Sequence, residues 1–201
     1  MGIKIASSTY PNVNVPNALT IFRIVLIPVF AGFYLWGTTR EIWIALAVFM
    51  LASFTDQLDG HIARSKGLIT NFGKLADPIA DKALTLTAFV LLSIRGPVPY
   101  FWVFTVLVAI REIGITVLRE VLRRGGTVVA ASSGGKLKTV LQMGLIVWMM
   151  IPWRSFLASD TVWNWIIGAI IAWAAVTLVV TVVSGLQYCI AAWRSSRSTE
   201  E

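Results

Sequence analysis

The residues able to do chemistry are concentrated in one stretch, Asp56 to Asp81, which reads DQLDGHIARSKGLITNFGKLADPIAD. Four of the five aspartates among 201 residues stand there: Asp56, Asp59, Asp77 and Asp81. If Asp56 to Arg64 is helical, then Asp56, Asp59, Gly60 and Ala63 are three, four and seven residues apart and share one face. Gly73, Asp77 and Asp81 recur every four residues and line one face of a second helix. Two such faces can meet in space, each with two carboxylates and a glycine. Burying even one unpaired charge is costly, so four clustered carboxylates at a membrane edge need compensating cations. Carboxylate oxygens are ligands for hard cations such as Mg²⁺, which keep open positions for substrate phosphates. Four carboxylates suit two metals, and a metal pair can clamp a pyrophosphate and neutralise a leaving phosphate in an in-line displacement. Gly60, Ala63 and Gly73 would let a nucleotide approach the backbone; the same small residues also permit tight helix packing.

The elements that must position these groups are hydrophobic. The chain is 57% hydrophobic and 13% charged, more apolar surface than a soluble domain can hide. It reads as an integral membrane protein of the all-α class. Six segments approach the length needed to span roughly 30 Å of hydrocarbon. They run approximately from Ala18 to Trp36, Ile42 to Arg64, Leu75 to Ile94, Val98 to Arg119, Leu137 to Trp153 and Trp163 to Trp193. The expected organisation is a juxtamembrane segment over 1–16, a six-transmembrane-helix bundle over 17–194 and a short cytoplasmic tail over 195–201. The N-terminus lacks the apolar core and cleavage site of a secretory signal peptide and reads as mature sequence. Residues Ile3 to Val15 carry too many turn formers to be assigned. Cys189 is the only cysteine, so an intrachain disulfide is excluded.

Loop charge sets the orientation. Arg64, Lys66 and Lys74 fall between segments two and three; Arg123, Arg124, Lys136 and Lys138 fall between four and five; Arg194 and Arg197 follow the sixth. By the positive-inside rule these loops and both termini are cytoplasmic. The opposite loops carry only Arg40, Arg95 and Arg154, and Trp36, Trp43, Trp102, Trp153, Trp163 and Trp165 gather near them as an interfacial belt. The net charge of +7 is accordingly read as topology and lipid-headgroup attraction, not as nucleic-acid binding. The aspartates come to lie at the cytoplasmic headgroup level, where a water-soluble substrate and a lipid headgroup can both arrive. Pro78 implies that the third helix is kinked there or has its first turn there.

A second set of ionisable residues points to a phosphorylated ligand. Thr20 and Arg23, in NALTIFR, put a cation about a turn inside the first helix, and Arg111 and Glu112 lie within the apolar fourth segment. Charges at such depth are functional or paired. Together with Arg119, Lys136 and Lys138 these cations can hold an acceptor that carries its own phosphate. The structural alternative is that Arg111 pairs with Glu112 or a neighbouring helix. A divalent-cation channel is the rival from a different class, although the acids cluster at one face and do not follow a crossing path.

The order Asp56, two residues, Asp59, Gly60, two residues, Ala63, Arg64, eight residues, Gly73, three residues, Asp77, three residues, Asp81 resembles the complete signature of the CDP-alcohol phosphotransferases. The resemblance implies a six-helix, homodimeric enzyme of the cell membrane that cleaves a CDP-linked lipid at the cytoplasmic face, with two Mg²⁺ or Mn²⁺ ions. Asp56, Asp59, Asp77 and Asp81 match the metal ligands. Asp81 also matches the catalytic base that takes the acceptor's hydroxyl proton. Gly60, Ala63, Arg64 and Gly73 match the CDP-lipid contacts. NALTIFR, ASFTDQLDGHIAR, REIGITVLRE and GGKLKT together resemble the branch that takes CDP-diacylglycerol and glycerol 3-phosphate. Gln57 and His61 stand where that branch more often carries aromatic residues. Siblings using inositol phosphate or phosphatidylglycerol share the signature.

Overall fold

The computed structural model describes residues 15–66, 71–124 and 133–197, with side chains for 19–55, 82–124 and 135–195. The described residues form six helices: α1 (Val15–Trp36), α2 (Thr39–Lys66), α3 (Asn71–Arg95), α4 (Phe101–Arg124), α5 (Ser133–Met150) and α6 (Asp160–Arg197). One 3₁₀ turn, Trp153–Ser155, lies between α5 and α6, and there is no strand among the described residues. Long apolar runs take this form because a helix satisfies its own backbone hydrogen bonds where lipid offers none. Each apolar segment of the sequence lies on one helix. The boundaries differ where prolines act. α4 starts at Phe101, past Pro97 and Pro99, and α5 stops at Met150 because Pro152 cannot continue it. α3 begins at Asn71 and is helical through Pro78, so its first turn lies seven residues before the proline.

α1 packs chiefly on α2 and then α3, α5 on α6, and α4 on α3 and α6. α3 touches α1, α2, α4 and α5, which makes it the centre of the bundle. Phe89 of α3 meets Phe104 of α4 edge-on at 5.2 Å, and Phe104 stacks on Phe101 at 4.9 Å. Phe30 of α1 lies 5.6 Å from Phe49 of α2. Between α5 and α6 the backbone of Gly144 admits the Trp173 ring, whose Cζ2 would stand 2.7 Å from any added Cβ.

The buried faces change character along their length. On α1 the buried residues run from Tyr34 and Phe30 through Leu26 to Arg23 and Thr20. On α4 they run from Phe101, Phe104 and Val108 to Glu112, and on α5 from Met149 and Leu145 to Gln142 and Lys138. On α6 Ile170 and Ala174 give way to Thr177, Thr181 and Ser184. The polar half of the interior therefore faces the end of the bundle from which the α2 to α3 connection leaves. The other end is closed by turns. Gly37 follows α1 with φ +81°, and Arg95, the last residue of α3, donates Nη1 to the carbonyl of Leu35 there. Arg154 pairs with Asp160 at 2.8 Å and stacks 4.9 Å from the Trp163 ring.

The outward surface is apolar, with Ile21, Val25, Ile110, Val117, Val179 and Leu186 all exposed. Such a continuous apolar exterior marks a protein embedded in lipid. Among the described residues, three helical stretches are each long and apolar enough to cross a bilayer: Leu19–Trp36, Phe101–Arg124 and Asp160–Ser195. Trp36 and Trp165, both 77% exposed, sit at helix ends on the side opposite the polar interior, as expected for interfacial anchors.

Candidate active site at the polar end of the bundle

The four aspartates lie on two consecutive helices. Asp56 and Asp59, with Gly60, Ala63 and Arg64, belong to the second half of α2; Gly73, Asp77 and Asp81 belong to the first half of α3. The helical backbone makes the spacings anticipated from sequence real registers, three residues for Asp56 and Asp59 and four for Gly73, Asp77 and Asp81. α2 and α3 pack on one another. The side chains of these eight residues lie outside the described part of the structure. Among the described residues no group of three or more histidine, cysteine, aspartate or glutamate side chains could hold a metal elsewhere.

The register continues into side chains that are described. One four-residue step after Asp81 on α3 is Thr85, which with Lys82 and Leu86 forms one wall of a cleft. Glu112 of α4 and Lys138, Thr139 and Gln142 of α5 form the rest. The enclosed part of the cleft is small, about 20 Å³; the volume reaches about 290 Å³ only when the open space at its mouth is counted. Thr85 in its wall lies on the α3 face that carries Asp77 and Asp81, one helical turn, roughly 6 Å, beyond Asp81.

The cleft is built around a buried ion cluster. Lys138 Nζ donates to Glu112 Oε1 at 2.6 Å, and Arg111 Nη1 donates to the same oxygen at 3.1 Å. Glu112 is 7% and Lys138 9% exposed. Arg111 is turned toward α6, where Nε donates to the Thr181 carbonyl at 3.0 Å and Nη2 to Ser184 Oγ at 2.9 Å. Gly185 makes room for it, since a Cβ there would stand 3.2 Å from Arg111 Nε and 3.3 Å from Cγ. With Lys82 in the wall, three cations surround one carboxylate and leave an excess of two positive charges. That is the charge of a phosphate monoester with opposite sign.

Of the cations expected to hold an acceptor phosphate, the structure brings Arg111 and Lys138 together through Glu112. Arg119 lies further along α4, its guanidinium 5.3 Å from the centre of the buried Tyr188 ring of α6. Lys136 is exposed on the first turn of α5. Thr20 and Arg23 are fully buried on α1, where both are engaged by neighbouring groups. Sequence reasoning missed Lys82, Thr85 and Gln142 as cleft residues. Two signals were available: Thr85 extends the four-residue ladder of Asp77 and Asp81, and Gln142 interrupts an apolar run four residues after Lys138.

Residues 13–185 match the model of the CDP-alcohol phosphatidyltransferase family. A probable phosphatidylglycerophosphate synthase of Mycobacterium tuberculosis is 42% identical over 185 residues, which are 90% of this chain and 82% of that protein. The CDP-diacylglycerol–glycerol-3-phosphate 3-phosphatidyltransferase of Bacillus subtilis is 34% identical over 203 residues, covering 92% of this chain and 98% of its own length. The protein of the same name from Escherichia coli is 37% identical over 184 residues, covering 89% and 94% respectively.

Proposed function

The chain belongs to the CDP-alcohol phosphatidyltransferase family, and from that premise we propose that it moves the phosphatidyl group of CDP-diacylglycerol to sn-glycerol 3-phosphate, giving phosphatidylglycerophosphate and CMP. The observation that supports a phosphate-bearing acceptor is the cationic cleft beginning one turn from Asp81, on the same face of α3, and the relatives' names point to glycerol 3-phosphate among such acceptors. A neutral alcohol has no use for two excess positive charges; an acceptor with its own phosphate does.

In this reading Gly60, Ala63, Arg64 and Gly73 seat the nucleotide of the CDP-lipid where α2 and α3 adjoin. Lys138, backed by Arg111, draws the acceptor phosphate into the cleft; Arg119, Lys136 and Arg23 add positive charge at the same end of the bundle, and Thr20 lies beside Arg23 on α1. One acceptor hydroxyl then points back along α3 toward Asp81. Asp81 accepts its proton as the oxygen attacks the β-phosphorus, the new P–O bond forms, and CMP departs with the electron pair of the bond that breaks. The donor set of Asp56, Asp59, Asp77 and Asp81 fits two hard divalent ions, Mg²⁺ or Mn²⁺, which when bound supply charge neutralisation on the pyrophosphate and its leaving group.

All six helices are taken to span the membrane, within one domain over 17–194, with both termini and the active site at the cytoplasmic face of the cell membrane. The enzyme is taken to work as a homodimer. The purified protein, given CDP-diacylglycerol and Mg²⁺, is expected to release CMP only when glycerol 3-phosphate is added, and to stop when the metal is chelated. Replacing Asp81 by Asn should lower kcat by about 10²- to 10⁴-fold, the usual contribution of a general base. Full activity of that variant would remove the mechanism, and release that depends on inositol phosphate or phosphatidylglycerol would move the chain to a sibling activity.

A further inference from the structure

One polar group in the cleft has no assigned task. Gln142 is 3% exposed, and its Nε2 has no hydrogen-bond partner. A buried amide left in this condition needs an explanation, because leucine or methionine would fill the space with no polar atom to satisfy. The position is also specific. Gln142 lies four residues after Lys138 on α5, so the two side chains stand one above the other on one helical face, with Cβ atoms about 5–6 Å apart. Both belong to the wall of the same cleft.

The other polar groups of that wall have commitments. Lys138 and Glu112 are held by one another, and Thr139 Oγ1 donates to the Gly135 carbonyl at 3.2 Å. Thr85 is engaged as well. What the cleft offers a ligand beyond charge is therefore the amide of Gln142. The free group is the Nε2–H donor, which can donate to a lone pair of a hydroxyl oxygen. A carboxylate at the same place would repel a phosphate and compete for Lys138. The arrangement is a cation and a neutral amide one turn apart, which matches a short phosphate ester bearing a free hydroxyl.

We infer that Gln142 is a specificity-determining residue that hydrogen-bonds the acceptor's middle hydroxyl, the one that does not react, while the phosphate lies toward Lys138. The inference rests on the acceptor-phosphate function assigned to this cleft. A hydroxyl at this place supplies the acceptor that the buried Nε2 lacks. A site built to bond a hydroxyl also rejects an analogue lacking it, because the analogue leaves the amide buried and unpaired.

The test compares two acceptors, glycerol 3-phosphate and 3-hydroxypropyl phosphate, which keeps the phosphate and a primary hydroxyl but lacks the middle one. The wild-type enzyme is expected to favour glycerol 3-phosphate in kcat/KM by about tenfold or more. Gln142→Leu should lower kcat/KM for glycerol 3-phosphate by a similar factor, leave 3-hydroxypropyl phosphate nearly unchanged, and bring the ratio close to one. A wild-type enzyme that uses both acceptors equally overturns the inference, and so does a folded Leu variant that loses both activities in parallel. If the Leu variant does not fold, Gln142→Asn decides in its place, with a ratio reduced below wild type supporting the inference and an unchanged ratio overturning it. The underlying function fails separately, if wild-type protein releases no CMP with either acceptor.

Discussion

At the scale of single residues, the unusual feature is a buried acid in a cleft lined by cations. Glu112 Oε1 accepts from both Lys138 and Arg111, and its side chain is 9% exposed. Without it, two cations would be buried with no counter-charge whenever the cleft is empty. Glu112 thus supplies the counter-charge, and it fixes where Lys138 Nζ stands. Removing one partner of a buried ion cluster typically costs about 3–5 kcal/mol, whereas removing the charges together costs far less. Glu112→Ala is therefore expected to lower the melting temperature in detergent markedly. Adding Lys138→Met to it should recover part of the loss, with non-additivity of at least about 0.5 kcal/mol. Strictly additive melting shifts would show that the contact carries no coupling. Arg111 differs from Lys138 in this respect, since Thr181 and Ser184 hold it whether or not the carboxylate is present.

At the scale of helices, the cleft depends on how closely α4 and α5 approach α6, and glycines set that distance. Gly185 lies against the Arg111 side chain, while Gly168, on the same helix, has nothing within 4 Å of an added Cβ. Gly185→Val is expected to push Arg111 off Thr181 and Ser184 and destabilise the bundle by about 1–3 kcal/mol, the usual cost of overpacking. Gly168→Val should be close to neutral. Comparing the melting curves of the two variants checks this, and equal shifts would show that the α4 to α6 contact is not the constraint. These contacts also mark where sequence stops being informative. The helices were legible because each is a long apolar run, and the carboxylate ladder because helical spacing turns Asp77 and Asp81 into neighbours on one face. The pairing of helices was not, since an apolar face fits many partners equally well. Nothing in REIGITVLRE says that Arg111 is satisfied by Thr181, seventy residues away. Of the two readings that Pro78 left open, a kink or a first turn, the second is excluded, because α3 begins at Asn71 and is helical through Pro78.

At the scale of the molecule, the interior is polar at one end and aromatic and aliphatic at the other, and this asymmetry aligns with the distribution of loop charge. The polar residues Arg23, Glu112, Lys138 and Ser184 occupy the half nearer the α2 to α3 connection and the ends of α4 and α6 that carry Arg124 and Arg194. The opposite end carries exposed Trp36, Trp102 and Trp165. On the proposed function a water-soluble acceptor enters from the polar end, so the orientation of the bundle decides which compartment supplies it. The positive-inside rule assigns that end to the cytoplasm. Cys189 is the sole cysteine, so a Cys189→Ser background carries no thiol and permits a direct test. Single cysteines at Ser159, in the exposed turn before α6, and at Arg124, exposed at the end of α4, report the two sides. In intact cells or spheroplasts a membrane-impermeant maleimide should label Ser159→Cys at once and Arg124→Cys only after the membrane is opened. Labelling in the reverse order would place the cleft on the outer face, where the cationic pocket could not draw its acceptor from the cytoplasm. Labelling of both positions from outside would mean that α5 does not cross, because these two sites are separated by that helix alone.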